Sequence, residues 1–341
     1  MSAVPYRRRQ RGAMSVAMLS TLFAALLIAA FSIDIGHGVL ARSELQSAAD
    51  AAALAGAGAL LPGSPGPNWS LAQSNAQKAV SLNGSDNVTL TSASAQSGFW
   101  NLTGSPAGMQ ASTISPGTYD NPAVKVTVSR AAGLNNGPVR FFFAPLFGVN
   151  NGAVTATAVA VVSAPGYVAA GGLFPVAIGK CIFDQYWNAQ TGSPKLDPST
   201  GQAYTFQFGN GTLYSGCAAG QWTSFQLNTN DVPSVRGLID NKNPTALGIG
   251  DSIWIQNGVK TTIYSSVPSN VDVLIPVVQT VATSGSSTAP IVGFAAFHID
   301  VPVGGSGKYI QGHLTAGVKI ATSTGQSGPY YGAYVPPRLA Q

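Results

Sequence analysis

The sequence predicts an α+β protein: an N-terminal transmembrane helix with a helical extension, a small α/β unit, and a β-rich exported domain of sandwich or barrel type. Three observations predict this. An uncharged run, residues 13–33, follows a basic N-terminus; alanine-rich helical periodicity continues to about residue 60; and short alternating apolar runs, separated by Gly, Asn, Ser and Pro, fill the chain beyond residue 172.

The uncharged run is long enough to cross a bilayer. At ~1.5 Å per residue, 21 helical residues span the ~30 Å hydrocarbon core. Positively charged residues stay on the cytoplasmic side of a membrane. We therefore expect a cytoplasmic tail at 1–12, an anchor at 13–33, and all later residues outside the cytoplasm. The topology residues are Arg7, Arg8, Arg9 and Arg11.

A cleaved signal peptide is the alternative for this segment. Signal peptides have the same basic start, but their apolar region is ~7–15 residues long and ends at a small-residue cleavage site. Here the run is longer, and the residues 34–39 that follow it make a poor cleavage site. The sequence therefore favours a retained anchor.

The charge balance argues against nucleic-acid binding. The formal charge is +5, but 13 basic and 12 acidic residues remain beyond Arg11, which leaves +1 for the exported part. A nucleic-acid surface requires clustered basic residues on the folded domain. Only 9% of residues are charged, against ~25% in ordinary soluble domains, so the composition suits a β-rich surface in contact with partner subunits.

The two cysteines, Cys181 and Cys217, both lie on the exported side. In an oxidising compartment we expect them to form a disulfide; two unpaired buried thiols are the alternative. Neither a CxxC nor an HxxxH spacing occurs, and the three histidines are scattered, so we expect no metal site and no cofactor.

The α/β unit, 34–163, begins with the helical extension, which the Pro/Gly segment 62–67 ends. The pattern then predicts a helix at 70–82, an aromatic helix or turn at 139–147, and strands at 88–95, 123–129 and 154–162. A linker at 164–172 leads to the β-rich domain, 173–328, and an irregular tail, 329–341. The β-rich domain has a short helix at 234–241 and candidate strands at 173–178, 204–208, 252–256, 261–264, 271–281, 291–301 and 309–320.

Two motifs resemble enzyme signatures only superficially. The loop 304–308 has the wrong residues for a phosphate loop. The tetrapeptide at 250–253 resembles the start of a lipase-like serine hydrolase block, but it lies mid-domain and lacks a DxxH partner. A secreted serine hydrolase using Ser252 therefore remains a remote alternative, and we expect no small-molecule substrate.

The N-terminal half resembles a known family. Its signature is the Asp34-Ile35-Gly36 exit from the apolar run, followed at 45–56 by Leu-Gln-Ser-Ala-Ala-Asp-Ala-Ala-Ala-Leu-Ala-Gly. The Phe-Ala-Pro-Leu-Phe-Gly element at 143–148 and the alternating run 154–160 add to it. Residues 9–165 are thus similar to TadG-like proteins of the bacterial tight-adherence (Flp-type) pilus assembly system.

The resemblance implies a non-enzymatic inner-membrane protein with a periplasmic body that assists pilus assembly or surface adherence through protein contacts. Its partners would be the lipid bilayer and other pilus assembly proteins or pseudopilins. Some longer relatives carry a metal-binding adhesion domain whose motif is absent here. The juxtamembrane helix residues that we expect to pack are Asp34, Gly36, Leu45, Gln46, Asp50 and Leu54.

A minor pilin-like subunit that enters the fibre is a further alternative. Related pseudopilins are cut after a glycine and carry Glu five residues later. Here the position five residues after Gly12 is Ala17, which argues against such processing.

Overall fold

A computed structural model gives the structure of the chain and describes residues 13–61, 66–117, 119–257, 261–320 and 327–340. The four topology arginines and most of the predicted Pro/Gly helix stop at 62–67 lie outside the described residues. The architecture is a long N-terminal apolar helix followed by a β-rich region with several sheets. The predicted α+β class is confirmed.

Four α-helices form among the described residues. Helix α1 spans Ala13–Ala57, α2 spans Trp69–Val80, α3 spans Lys180–Tyr186 and α4 spans Val232–Asn241. Helix α4 begins where its sequence indicates: the carboxylate of Asp231 accepts a hydrogen bond from the Ser234 backbone N–H at 3.0 Å, as an N-cap does.

Twelve strands build the two larger sheets. In chain order they are β1 (Ser94–Asn101), β2 (Met109–Gln110), β3 (Asp120–Arg130), β4 (Val154–Val161), β5 (Val176–Gly179), β6 (Thr205–Phe208), β7 (Gly220–Phe225), β8 (Ser252–Gln256), β9 (Val271–Val278), β10 (Ser287–Val303), β11 (Tyr309–Leu314) and β12 (Arg338–Leu339). The first sheet has the order β12-β4-β3-β1-β2. Strand β12 belongs to the tail that is predicted to be irregular.

The second sheet closes on itself. Its order is β6-β11-β10-β8-β7-β5-β9, and β9 also pairs with β10, so strands β10, β8, β7, β5 and β9 form a ring. Strand β10 makes closure possible because it is 17 residues long. Its start pairs with β8, its middle with β9 and its end with β11. The β5–β9 pair is parallel, and the other pairs are antiparallel.

Strands β5, β7 and most of β9 in this second sheet are buried on both faces. Alternation along β9 sends Val273, Ile275 and Val277 into one apolar cluster, and Leu274 and Val278 into another. A strand buried on both sides reads as a continuous apolar run, as 273–278 does.

A disulfide joins Cys181 in α3 to Cys217, which lies in the short strand Cys217–Ala218 and belongs to the first of these apolar clusters. The two Cα atoms are 5.8 Å apart.

The remaining elements are short. Two 3-10 helices span Ala144–Phe147 and Thr261–Ser266. The second occupies the predicted strand at 261–264, which is therefore wrong. Two-residue strands also form pairs, in order along the chain: Gly84–Ser85, Val88–Thr89, Val139–Arg140, Asn151–Gly152, Ala164–Pro165, Tyr167–Val168, Trp187–Asn188, Ser193–Pro194, Leu213–Tyr214, Cys217–Ala218, Leu247–Gly248, Val318–Lys319, Ser327–Gly328 and Ala333–Tyr334.

The contacts of the chain divide it into two compact units. The first comprises the described residues of Met1–Ala51 together with Lys78–Ser94 and Thr127–Thr157. The second comprises the described residues of Ala52–Gln77, Ala95–Val126 and Ala158–Gln341, and contains the closed ring of strands. Each unit therefore assembles segments that are distant in sequence.

Within the second unit, the end of α1 approaches its neighbours too closely for any side chain at Gly56. A Cβ placed there would lie 2.9 Å from the backbone oxygen of Ala72, 2.9 Å from the Cβ of Ala76 and 3.0 Å from a methyl group of Val124. Real Cβ atoms do not approach this closely. Glycine at position 56 is thus a requirement of helix packing.

We expect Gly56→Ala to lower the free energy of unfolding by about 1–3 kcal/mol, because overpacking forces the neighbouring backbone to shift. Thermal unfolding of the detergent-solubilised protein measures the effect. The control is Gly36→Ala in the same helix, where a Cβ would meet no atom within 4 Å. Equal melting temperatures for the two variants would contradict the prediction.

Candidate functional site

Asp34, directly after the uncharged run, binds a distant loop. Its carboxylate accepts hydrogen bonds from three consecutive backbone N–H groups, those of Phe142 (2.7 Å), Phe143 (2.9 Å) and Ala144 (2.6 Å). Only 4% of Asp34 is exposed. The 3-10 helix that begins at Ala144 has no side-chain cap of its own, so Asp34 supplies the anion that its N-terminus favours.

The loop that Asp34 binds, residues 141–149, is called here the aromatic loop. It is closed at its base by the pairing of Val139–Arg140 with Asn151–Gly152 and by the Phe141 N–H bond to the Asn150 oxygen, 3.1 Å. Gly148, at φ 84°, ends the 3-10 helix in a left-handed conformation that glycine adopts without strain. The loop is therefore a compact, hydrogen-bonded structure.

Two ring contacts add to the attachment of the aromatic loop to α1. The rings of Phe31 and Phe147 stack with their centroids 5.3 Å apart, and the rings of His37 and Phe142 lie 4.9 Å apart. Phe31 belongs to the uncharged run itself. The loop thus lies against the last turn of that run.

A second polar cluster, the Asp86 network, fixes α1 one to three turns further along. One Asp86 carboxylate oxygen lies 2.8 Å from Nε2 of His37, the other lies 3.7 Å from the guanidinium of Arg130, and the Asp86 backbone N–H donates to Glu44 at 2.7 Å. Asp86 and Asn87 have φ of 52° and 58°, as expected for a two-residue hairpin turn. Glu44 is the chain's one glutamate.

Arg130 is the buried centre of this network. Its guanidinium donates to the backbone oxygens of Ser85 at 2.7 Å and Gly137 at 2.9 Å, and the residue is 3% exposed. Neither Arg130 nor Asp86 is among the residues predicted from the sequence. A signal existed for Arg130, because continuing the alternation of the predicted strand 123–129 by one residue places it on the same face as Val124, Val126 and Val128, which are fully buried.

The predicted juxtamembrane residues have different surroundings. Leu45 is fully buried, Leu54 is half-buried and Gly36 is exposed. The Gln46 amide donates to the Asp50 carboxylate at 2.7 Å and to the Thr157 backbone oxygen on β4 at 3.2 Å. The extension is thus an amphipathic packing element of its own chain, and its buried positions recur at helical spacing: Ala41, Leu45, Ala48, Ala49, Ala52, Ala53 and Ala57.

The residues considered for serine hydrolysis do not form a triad. Ser252 pairs with Pro290 at the start of β8. His298 bonds instead to Asp272 at 2.8 Å and to Asn270 at 3.2 Å. Since its two ring nitrogens are bonded to these partners, His298 is not placed as a base for Ser252.

One cavity in the second unit has a volume of about 260 Å³. Its wall includes Phe99, Trp187, Tyr330 and Tyr331, with Asp120 at its edge. Burial raises the pKa of Tyr330 and of Tyr331 to about 12, so both phenols are neutral at physiological pH. The Asp120 carboxylate is occupied by bonds from Asn101, Gln110 and the Gly117 backbone, which gives it a structural role.

Comparison with protein families accounts for the N-terminal part of the chain. Residues 12–59 match the family model described as "Putative Flp pilus-assembly TadE/G-like", and residues 55–160 match the one described as "Putative Tad-like Flp pilus-assembly". Together the two matches cover residues 12–160, and this N-terminal part of the chain is similar to Tad/Flp pilus-assembly domains. This confirms the resemblance inferred from the sequence. No curated protein and no solved structure matches the chain significantly.

The contacts described for the first unit lie within the residues that the two family models match. Asp34, the aromatic loop and the Asp86 network all fall between residues 12 and 160. The closed ring of strands lies beyond both matches. The two matches therefore cover α1, the aromatic loop and the Asp86 network, and neither covers the closed ring of strands.

Proposed function

We propose that this Tad/Flp pilus-assembly protein is a non-enzymatic, single-span component of the bacterial inner membrane. Residues 1–12 lie in the cytoplasm and the body lies in the periplasm, where it acts through contacts with other pilus assembly proteins. The family matches support the assembly role. The length and apolar character of helix α1 support the membrane topology.

One observation supports the proposal that α1 is a transmembrane anchor. Of the described part of the chain, only α1 is long and apolar enough to cross a membrane, with a mean hydropathy of 2.4 in its most apolar window and none of that window buried. A core helix of a soluble protein would be covered by its own chain. The outward apolar side chains of residues 15–33 need a lipid or protein environment instead.

The continuity of α1 argues against cleavage. The helix runs without a break from the apolar part into the extension, whose buried residues belong to the folded protein. Removing 13–33 would strip away Phe31 and leave Asp34 at a new N-terminus. A retained span keeps the contacts of the aromatic loop intact.

Fractionation and reporter fusions test this topology. We expect the intact chain to stay in carbonate-washed membranes, and a C-terminal alkaline phosphatase fusion to be active, because the uncharged helix remains in lipid and the arginines stay inside. Replacing Arg7, Arg8, Arg9 and Arg11 by Gln should lower the active fraction. Gln at the exposed exported residues Lys78 and Arg338 is the control.

Two results would overturn the proposal. A soluble, shortened chain would indicate a cleaved signal, and a new N-terminus at Ala13 by mass spectrometry would indicate a pilin-like subunit. The assembly role is tested separately by affinity capture after mild crosslinking in membranes. Recovery of pilus-secretion components supports it, and their consistent absence contradicts it.

A further inference from the structure

The aromatic loop presents an uncharged apolar surface outward. Five of its large side chains are between 38% and 79% exposed: Phe142, Phe143, Leu146, Phe147 and Val149. No ionisable residue occurs between 141 and 149. Exposed apolar clusters of this kind mark interaction sites in soluble proteins, and here the loop conformation is fixed by hydrogen bonds, so the exposure is built into the fold.

The position of the loop identifies what covers it. Phe147 stacks on Phe31, two residues before the uncharged run ends. At ~1.5 Å per residue, Phe31 lies only ~3 Å inside the end of that run. A side chain packed laterally against Phe31 is therefore at the depth where lipid headgroups meet acyl chains.

We propose that the aromatic loop is a second membrane contact, inserted into the outer leaflet of the bilayer that α1 spans. This inference rests on the anchorage proposed above. Interfacial elements bury apolar side chains ~5–10 Å deep at the headgroup boundary, and aromatic rings are favoured there. Arg140, exposed at the base of the loop, is a cation placed beside the lipid phosphates.

The contact has a mechanical consequence. A single helix can rotate and tilt in a bilayer. A loop that is attached to one side of the helix and inserted at the interface restricts both motions. Asp34 transmits this constraint, because its carboxylate binds the loop backbone directly. The first unit is thus held in a defined orientation on the membrane surface.

Lipid quenching of a fluorescent probe tests the insertion. The chain's two cysteines are joined to each other, so Leu146→Cys introduces one free thiol, at a side chain that is 79% exposed. The labelled full chain is reconstituted in nanodiscs containing brominated phosphatidylcholine. The matched control is Leu82→Cys, which is 86% exposed in the same unit.

We expect quenching at position 146 to be at least about threefold stronger than at position 82, and strongest with bromines near the headgroup, because the loop reaches interfacial depth. Equal quenching at the two positions would overturn the inference. So would a probe at 146 that is shielded from both lipid and aqueous quenchers, since this would indicate protein cover.

The experiment distinguishes a failure of the anchorage proposal from a failure of the loop proposal. If α1 does not span the bilayer, carbonate releases the protein from the nanodisc lipids and neither probe is quenched. If only the loop inference is wrong, the protein stays integral and the probe at 146 behaves like the probe at 82. Both labelled variants should retain the wild-type melting temperature, which checks that the fold is intact.

Discussion

Asp34→Ala is expected to release the aromatic loop from α1. The substitution leaves three consecutive backbone N–H groups, those of Phe142, Phe143 and Ala144, without their acceptor. Buried donors without partners are costly, and bonds to a charged acceptor are the stronger kind. We expect amide hydrogen exchange at these three residues to accelerate by at least about tenfold, since local opening then breaks fewer bonds.

Two further variants separate the cause from general damage to the helix. Asp50→Ala removes a carboxylate from the same helix that, among the described residues, accepts one bond, from the Gln46 side chain, and it should leave exchange at 142–144 unchanged. Asp34→Asn keeps an acceptor oxygen but loses the charge, and should give an intermediate rate. Unchanged exchange in Asp34→Ala would show that the carboxylate does not hold the loop.

The same variant connects the loop to the membrane proposal. If Asp34 positions the loop in the leaflet, Asp34→Ala combined with the probe at Leu146 should reduce lipid quenching while the protein stays integral. The Asp50→Ala background should not. In this experiment Asp34 acts as a positioning residue. Its effect is measured at position 146, which its own side chain does not contact.

Much of the fold could be predicted because local patterns and tertiary environment agree. Helix α2 has the period expected of a helix with one exposed face, strands β3, β4 and β8 alternate as strands do, and β9 contains a continuous apolar run. Each of these elements was predicted close to its observed position. Their boundaries differ from the predicted ones by at most three residues, because hydrogen bonding, and not composition, ends them.

The errors have physical causes. The Thr-Thr-Ile sequence at 261–263 has high β propensity, yet it forms a 3-10 helix in which Ile263 and Tyr264 are buried. Here tertiary packing overrides propensity.

Strand β7 was missed because three of its six buried residues, Gln221, Thr223 and Ser224, are polar, so its sequence shows neither a continuous apolar run nor a clear alternation. Closure of the ring also left no local signal, since it depends on β10 pairing with both β8 and β9 and on the parallel pairing of Ile178 in β5 with Val277 in β9.

The candidate site could also be predicted only in part from the sequence. Asp34 stood out because it follows the apolar run directly, and the motif at 34–36 is specific. Its ligands, three backbone N–H groups more than 100 residues later, could not be inferred from one sequence. Asp86 lies in a tight turn, and its contacts with His37 and Arg130 arise only when that turn packs against α1.

Arg130→Met is expected to destabilise the first unit by about 3 kcal/mol, because it removes one partner from a buried ionic and hydrogen-bonded group. The backbone oxygens of Ser85 and Gly137 lose their donors, and Asp86 loses its cation. The Met side chain fills much of the same volume, so the effect measures lost polar contacts more than a cavity.

Hydrogen exchange in the segments 84–92 and 127–137 reports this loss locally; about 3 kcal/mol corresponds to roughly a hundredfold faster exchange when opening limits protection. The exchange rate of Arg130→Lys should lie between those of the wild type and Arg130→Met, because an ammonium keeps the charge but lacks the planar set of donors that reaches several acceptors. Arg42→Met, at an exposed arginine of the same unit, should change stability by less than about 0.5 kcal/mol. If Arg130→Met matched Arg42→Met, the Asp86 network would not stabilise the unit, and the orientation of α1 would have to depend on its apolar face alone.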